Sequence, residues 1–395
     1  MPHGILTRKP HTGFRTGEWE TRTSEPLAVR FAESWDLANA TTGFPMVSCV
    51  VFGDRSAIPA PLPSETVCWT GRLPRADVPW AEASAKITTA PGRIVAHAAG
   101  AEVPTSPYKN LFRQGAVLAP RVCLFVTETS AGPLGAGAGR VAVVSHRSTL
   151  EKEPWKSLPS LQARVESRFV RPVYLGETIL PFRSVRPRKA VLPVMDELMS
   201  AEEIEQSPGL LSWWEPAEAA WEKDKPSQDR SRLLDRIDYH GQLSAQFPLA
   251  HRRVVYTKAG NTLAATVIED PRAVIDTSLY WSSVASEAEA NYLCAVLNSA
   301  ELLARVKPLQ TLGLFGARHF DQYVFLVPFP KFDPTSELHQ RIAALGVDAA
   351  EVAAAVDVTG ARTFQAARKL VAAGIAEQGV SAEINETIRR LLGDD

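Results

Sequence analysis

The spacing of apolar positions divides the chain into a β-rich front, a mixed middle and a helical end. Leu27 to Phe31 and Val47 to Phe52 are short β-branched and aromatic runs, the second closed by Gly53 and Asp54, and both predict strands. Val122 to Thr127 and Val141 to Val144 predict two more, separated by the glycine-rich run Ala131 to Gly139. From Arg252 the texture is again that of strands. Val254 to Tyr256, Leu263 to Ile268 and Ala273 to Tyr280 are divided by the turn-forming stretches Ala259 to Asn261 and Asp270 to Pro271. Tyr323 to Val327 predicts a last strand before Pro328. Pro59 to Pro63 cannot lie inside a sheet and is expected to mark a boundary.

Helical spacing governs the rest. Residues 196–224 are acidic and place Trp214 and Trp221 seven apart, on one helix face, where core packing is their expected use. Ser286 and Glu289 have the spacing of a capping box ahead of Tyr292, Leu293, Val296 and Leu297. Beyond Asp333 three stripes predict terminal helices: Leu338/Ile342/Leu345, Phe364/Val371/Ile375 and Ile384/Ile388/Leu391.

Composition narrows the class. With 45% apolar and 22% charged residues over 395 positions, the chain supports two or three packed units rather than wholesale disorder. No apolar run approaches the roughly 18 residues that cross a bilayer, and Met1 to Trp19 lacks the apolar centre of a signal peptide. Cys49, Cys68, Cys123 and Cys294 lie far apart without a CxxC pair, so they are expected to be buried thiols in a reducing, cytoplasmic setting. The net charge of −1 does not advertise a polyanion partner, but its distribution is uneven. Arg164, Arg168, Arg171, Arg183, Arg186, Arg188 and Lys189 face only Glu166 and Glu177 within their stretch, whereas Asp196 to Asp224 is acidic with Lys223 its one base. Such patchiness can hold a polyanion on one face of a nearly neutral protein, or simply be two solvated faces.

The chemistry that is missing is specific. Methyl transfer to an adenine amino group uses an Asn/Asp/Ser-Pro-Pro-aromatic loop that holds the flipped base. Among 29 prolines no two are adjacent. The glycine run 131–139 has a strand after it instead of a helix and fits neither GxGxxG nor a Lys-Ser/Thr pattern, so it is expected to be a hairpin tip. No lysine has an acid or a histidine two positions before it, which removes the commonest nuclease cores. No metal-ligand spacing of His or Cys and no Gly-x-Ser-x-Gly is present.

Three blocks carry a family likeness. Trp155 to Pro159 with Val165 to Phe182, then Leu233 to Leu243 with Arg253 to Gly260, then Tyr292 to Ser299 with Arg318 to Phe325 and Pro328 to Asp333, resemble the central and target-recognition blocks of large adenine-N6 DNA methyltransferases of type II restriction–modification and phage-defence systems. The Leu297-Asn298-Ser299 helix end, followed by a strand and Pro328-Phe329-Pro330, is similar to target-recognition domains. Met1 to Arg8, Phe14 to Gly17, Trp35 to Leu37 and Phe44 to Phe52 resemble the last strands of the methyltransferase domain, downstream of its cofactor and catalytic motifs.

The resemblance implies an α+β chain. Residues 1–60 would be remnant strands of a methyltransferase sheet, 61–334 a mixed α/β target-recognition domain and 335–395 a C-terminal helical segment. It implies double-stranded DNA as partner, with S-adenosylmethionine used by the intact family and no cofactor held by this chain. Catalysis would then fall to a separate methyltransferase chain, or be lost through truncation. The expected DNA-facing residues are Arg252, Arg253 and Lys258 around one strand and Arg318 and His319 before another, since Arg, Lys and polar side chains read bases and anchor phosphates. Lys331 and Asn298 are expected to be structural. The rivals are a protein-binding pseudo-subunit acting through its terminal helices, and an enzyme with an unrecognised site.

Overall fold

The computed structural model describes residues 12–21, 26–41, 48–75, 77–93, 104–132, 135–148, 151–310, 312–313, 316–317 and 319–393. The chain forms two compact units, 1–104 with 305–319, and 105–304 with 320–395. The fold is α+β, as expected. The division of the chain differs from the expected borders at 60 and 335. The proline-rich stretch is tucked into the first unit, where Ala60 exchanges hydrogen bonds with Phe31 and Val29 and Leu62 is 1% exposed. The terminal helices pack within the second.

The first unit holds a five-stranded sheet: β1 (Glu18–Trp19), β2 (Leu27–Thr41), β3 (Cys49–Arg55), β4 (Glu65–Arg72) and β5 (Ile87–Arg93). β2 pairs with β1, β3 and β4, and β4 pairs with β5. One face buries Phe31, Cys49 and Leu62 with Phe14 and Trp19. Inside the sheet the Ser34 hydroxyl donates to Thr66 Oγ1 at 2.9 Å, so two buried hydroxyls satisfy each other. Of the sequence blocks likened to a methyltransferase end, Met1 to Arg8 and Phe44 to Val47 lie outside the described residues.

The second unit is built on two sheets. The larger contains β7 (Phe125–Thr129), β8 (Arg140–Ser145), β9 (Gln162–Glu166), β10 (Val170–Tyr174), β13 (Arg188–Val191) and β16 (Val274–Ile275), in the order β16-β10-β13-β7-β8-β9. The smaller runs β15-β14-β17-β6, from Ala265–Ile268, Arg253–Thr257, Leu279–Ser283 and Arg113–Gln114. A short hairpin of β11 (Ile179–Leu180) and β12 (Arg183–Ser184) forms its own two-stranded sheet beside β15, with the Phe182 N–H donating to Ala265 O.

Helix α1 (Pro208–Asp224) covers the larger sheet. Trp213, Trp214 and Trp221 are 0%, 3% and 3% exposed, so they are core residues, and the Trp213 indole N–H reaches the Cys123 carbonyl at 2.9 Å. Helix α2 (Glu287–Asn298) lies on β14 and β15. Ser286 Oγ accepts from the Glu289 N–H at 3.1 Å, and the Glu289 carboxylate turns back to the Ala285 N–H, one residue earlier than in the standard box. Against α2 pack α3 (Glu337–Ala355) and α5 (Val380–Leu391), and α4 (Phe364–Glu377) packs on α3 and α5; of their predicted stripes Ile342, Leu345, Val371, Ile375, Ile384 and Ile388 are buried, Leu338 and Leu391 half-buried and Phe364 exposed. No helix of the described residues is long and apolar enough to cross a membrane.

Three predicted strands are changed by tertiary context. Tyr323–Leu326 is a 3-10 turn: Asp321 sits at φ 40°, and Phe320 and Asp321 both donate to the Lys258 carbonyl, so the chain cannot leave extended. Val122 to Leu124 belongs to a short helical turn, Arg121–Leu124, ahead of β7. Ala273 to Tyr280 is two strands split by a turn in which Asp276 accepts from the Ser278 N–H and hydroxyl.

Candidate nucleic-acid interface

Arginines decide where a polyanion could bind, and most of those in the second unit are already committed. Arg253 opens β14, a central strand whose five residues are all buried between β15 and β17. Its side chain is 0% exposed and donates to Ala273 O at 2.9 Å and Asp270 O at 3.1 Å. Burial pulls its pKa down to about 10, which still leaves it charged at neutral pH. The expectation that Arg253 faces DNA is therefore corrected: it ties backbone carbonyls together inside the unit. Arg252 is half-buried and paired with Glu269 at 2.8 Å and Glu287 at 3.9 Å, so its charge is largely neutralised where it stands. Lys258 is half-buried, with its backbone bonded to Ser278, Phe320 and Asp321. His319 is exposed and belongs to the first unit, and Arg318 lies outside the described residues. Asn298 orders structure as expected: its amide accepts from the Ala265 N–H and donates to the Ala265 and Cys294 carbonyls, all at 2.9 Å, extending the edge of β15 like a further strand residue.

The basic stretch 164–189 follows the same rule in part. Arg183 donates to the carbonyls of Ala353 and Val356 at the end of α3, filling acceptors that a helix C-terminus leaves open. Arg171 is 8% exposed and donates to Arg272 O. From the terminal helices, Arg368 is buried and donates to the Ile179 and Gly176 carbonyls. Of the basic residues that remain exposed, Arg164 and Arg188 lie on strands of the larger sheet.

The face on which Arg164 stands is fixed by register. Thr127 pairs with Val144 and Val144 with Gln162, and the next row is Thr129, Ala142 and Arg164. Side chains alternate across a strand, so these rows share a face, and Val126, Val143 and Val165 point to the other. The valine face is buried in the core with Leu210, Trp213 and Trp214. On the opposite side Thr127, Thr129, Gln162 and Arg164 are exposed, and Val144 and His146 are half-exposed. Alternation in Gln162-Ala163-Arg164-Val165-Glu166 is the signal that could have marked this strand as one-sided.

Charges of both signs surround the face. Arg121 lies 5.5 Å from the Phe125 ring and Arg188 pairs with Glu177 at 3.0 Å. Burial, and then Arg188 and Arg121, hold His146 below its ordinary pKa of 6.5, so it is neutral at pH 7. The acid in the outer row is accounted for: burial would raise Glu166, but backbone N–H donors, Gly209 among them, together with Arg140 outweigh it and keep the carboxylate low. Arg164 donates to Ala131 O at 3.3 Å, at the base of the loop joining β7 to β8. The glycine run is thus a hairpin loop, and in it Gly132, Gly135, Gly137 and Gly139 have positive φ with open space where a Cβ would lie. Such backbone can approach a ligand without side chains in the way.

Comparison with models of known protein families gives no match, and comparison with curated proteins gives none. Among solved structures the chain is similar to one described as the type IIG restriction endonuclease BpuSI, at 11% identity and a TM-score of 0.27 over 95% of this chain. The chain spans 46% of the length of that structure. A likeness of that size carries no inference about fold or function.

Proposed function

We propose that this chain is a DNA-recognition part of a restriction–modification or phage-defence system, acting beside a catalytic adenine-N6 methyltransferase chain. The observation that supports the reading is the open face of the larger sheet, with Arg164 and Gln162 beside Thr127 and Thr129 and a glycine-bearing hairpin at its end. The major groove admits a two-stranded ribbon. In this reading Arg164 and Gln162 meet base edges, Arg121 meets a phosphate, and the loop backbone follows the sugar–phosphate chain. The S-adenosylmethionine of such a system finds no cradle in the glycine run, which joins two antiparallel strands and opens no helix, so no methyl-transfer step is assigned to this chain. A protein-binding role through the terminal helices is less favoured, because most of their apolar stripe residues, Ile342, Leu345, Val371, Ile375, Ile384 and Ile388, are buried within the unit.

Fluorescence anisotropy with duplex DNA at about 50 mM salt tests the reading, since a binder making several phosphate contacts holds there and weakens steeply as salt rises. Absence of duplex affinity under that condition would overturn it.

A further inference from the structure

β9 is the outer strand of the larger sheet, so with β8 it forms the ribbon that can enter a groove. Along β9 the side chains on the open face are Gln162, Arg164 and Glu166, paired across the ladder with Val144, Ala142 and Arg140. Glu166 is committed: it pairs with Arg140 at 3.0 Å and accepts from the Gly209 and Leu210 N–H groups at 2.9 and 2.8 Å. Val144 and Ala142 carry no polar side-chain atom. Gln162 and Arg164, both exposed, are therefore the polar side chains that this ribbon can offer a partner.

Their chemistry assigns a base to each. A guanidinium only donates, and guanine alone sets two acceptors, O6 and N7, side by side on its major-groove edge. One Arg164 N–H is held by Ala131 O at 3.3 Å, which orients the group and leaves its other donors for a base. A carboxamide sets an acceptor beside a donor, and adenine alone offers the complement, its N6 amino group beside N7. Against guanine the Gln162 carbonyl oxygen would face a lone pair, and against adenine an Arg164 donor would face the amino group. Each mismatch leaves a polar group unpaired. Cytosine and thymine present a single polar group there, which cannot fill a two-pronged partner. The strand also sets the spacing. Residues two apart on it stand about 6.7 Å from each other, and base pairs rise about 3.4 Å each. The two bases thus lie at most two steps apart, at two for a strand along the duplex axis and nearer one for a strand that follows the slant of the groove.

We infer that, within the DNA-recognition reading on which this step rests, the recognised duplex carries a guanine met by Arg164 and an adenine met by Gln162, within two base steps of each other.

Selection of bound sequences from a random duplex library by the full chain, followed by anisotropy on the enriched duplex, reads this directly. The parent protein is expected to enrich a guanine and an adenine at that spacing. Arg164→Ala is expected to relax the choice at the guanine position alone and Gln162→Ala at the adenine position alone, each with about a tenfold loss on the enriched duplex. The exchange Gln162→Arg/Arg164→Gln keeps the same two side chains at exposed positions, and is expected to swap the two bases in the enriched sequence while its melting curve stays that of the parent. An enriched sequence without that guanine and adenine, single substitutions that relax neither position, or an exchange variant that keeps the parental order would each overturn the inference and leave DNA recognition standing. An equal loss on every duplex with Arg164→Ala, the mark of a phosphate contact, would overturn it as well. Absence of duplex affinity in the parent protein would overturn both.

Discussion

Two arginines of the second unit, Arg253 on the smaller sheet and Arg164 on the larger, are used in opposite ways. In the smaller sheet Arg253 is sealed between two neighbouring strands and its donors go to carbonyls of its own chain. In the larger sheet Arg164 stands on a one-sided strand, exposed beside Gln162, over a core built by the valines behind it. The residue type is the same; what differs is whether the strand is covered on one face or on both. A basic side chain thus stays open to an outside partner only where the backbone around it has largely met its own hydrogen-bonding needs.

Substitutions should separate the two uses sharply. Arg253→Ala removes a side chain whose two donors serve buried carbonyls and leaves a cavity, and it is expected to cost about 4 kcal/mol, read as a lower urea midpoint with unchanged slope. Asn298→Ala, which strips three hydrogen bonds from the end of α2 and the edge of β15, is expected to cost about 2 kcal/mol. Arg164→Ala should leave stability within about 0.5 kcal/mol and weaken duplex binding by about tenfold, the worth of one good base contact. If urea melts show Arg164→Ala to be as damaging as Arg253→Ala, the contrast between the sheets fails.

The smallest expected effect concerns pH. His146 has its folded pKa lowered by burial and by Arg188 and Arg121, so the unfolded chain binds the proton first as pH falls. Its contribution is therefore fully present above about 6.5, the ordinary histidine value, and is lost as pH drops below that toward the folded pKa. His146→Asn should flatten the stability profile in this window, which thermal melts between about pH 7 and pH 5 would reveal.

Much of this arrangement is legible in the chain. The capping residue Ser286, the tryptophans of α1 and the stripes of α3 to α5 read directly, because helical periodicity survives packing. Arg253 did not, although a clue was there. The run Val254-Val255-Tyr256 has no polar alternation, which is the mark of a strand buried on both faces, and an arginine at its head is then a buried arginine. The 3-10 turn at Tyr323 was hidden for another reason: it is imposed by hydrogen bonds from Phe320 and Asp321 to Lys258, distant in sequence. The open face itself needed register, since only pairing brings Thr129, Ala142 and Arg164 into one row.

The most direct test compares duplex affinity, at one fixed salt concentration, for Gln162→Ala/Arg164→Ala and for Arg252→Ala/Lys258→Ala. The open-face pair is expected to lose at least about tenfold with its melting curve unchanged, and the pair at β14 to stay within about twofold of the parent protein. Loss of affinity confined to the Arg252/Lys258 pair, with the open-face pair binding normally, would contradict the account.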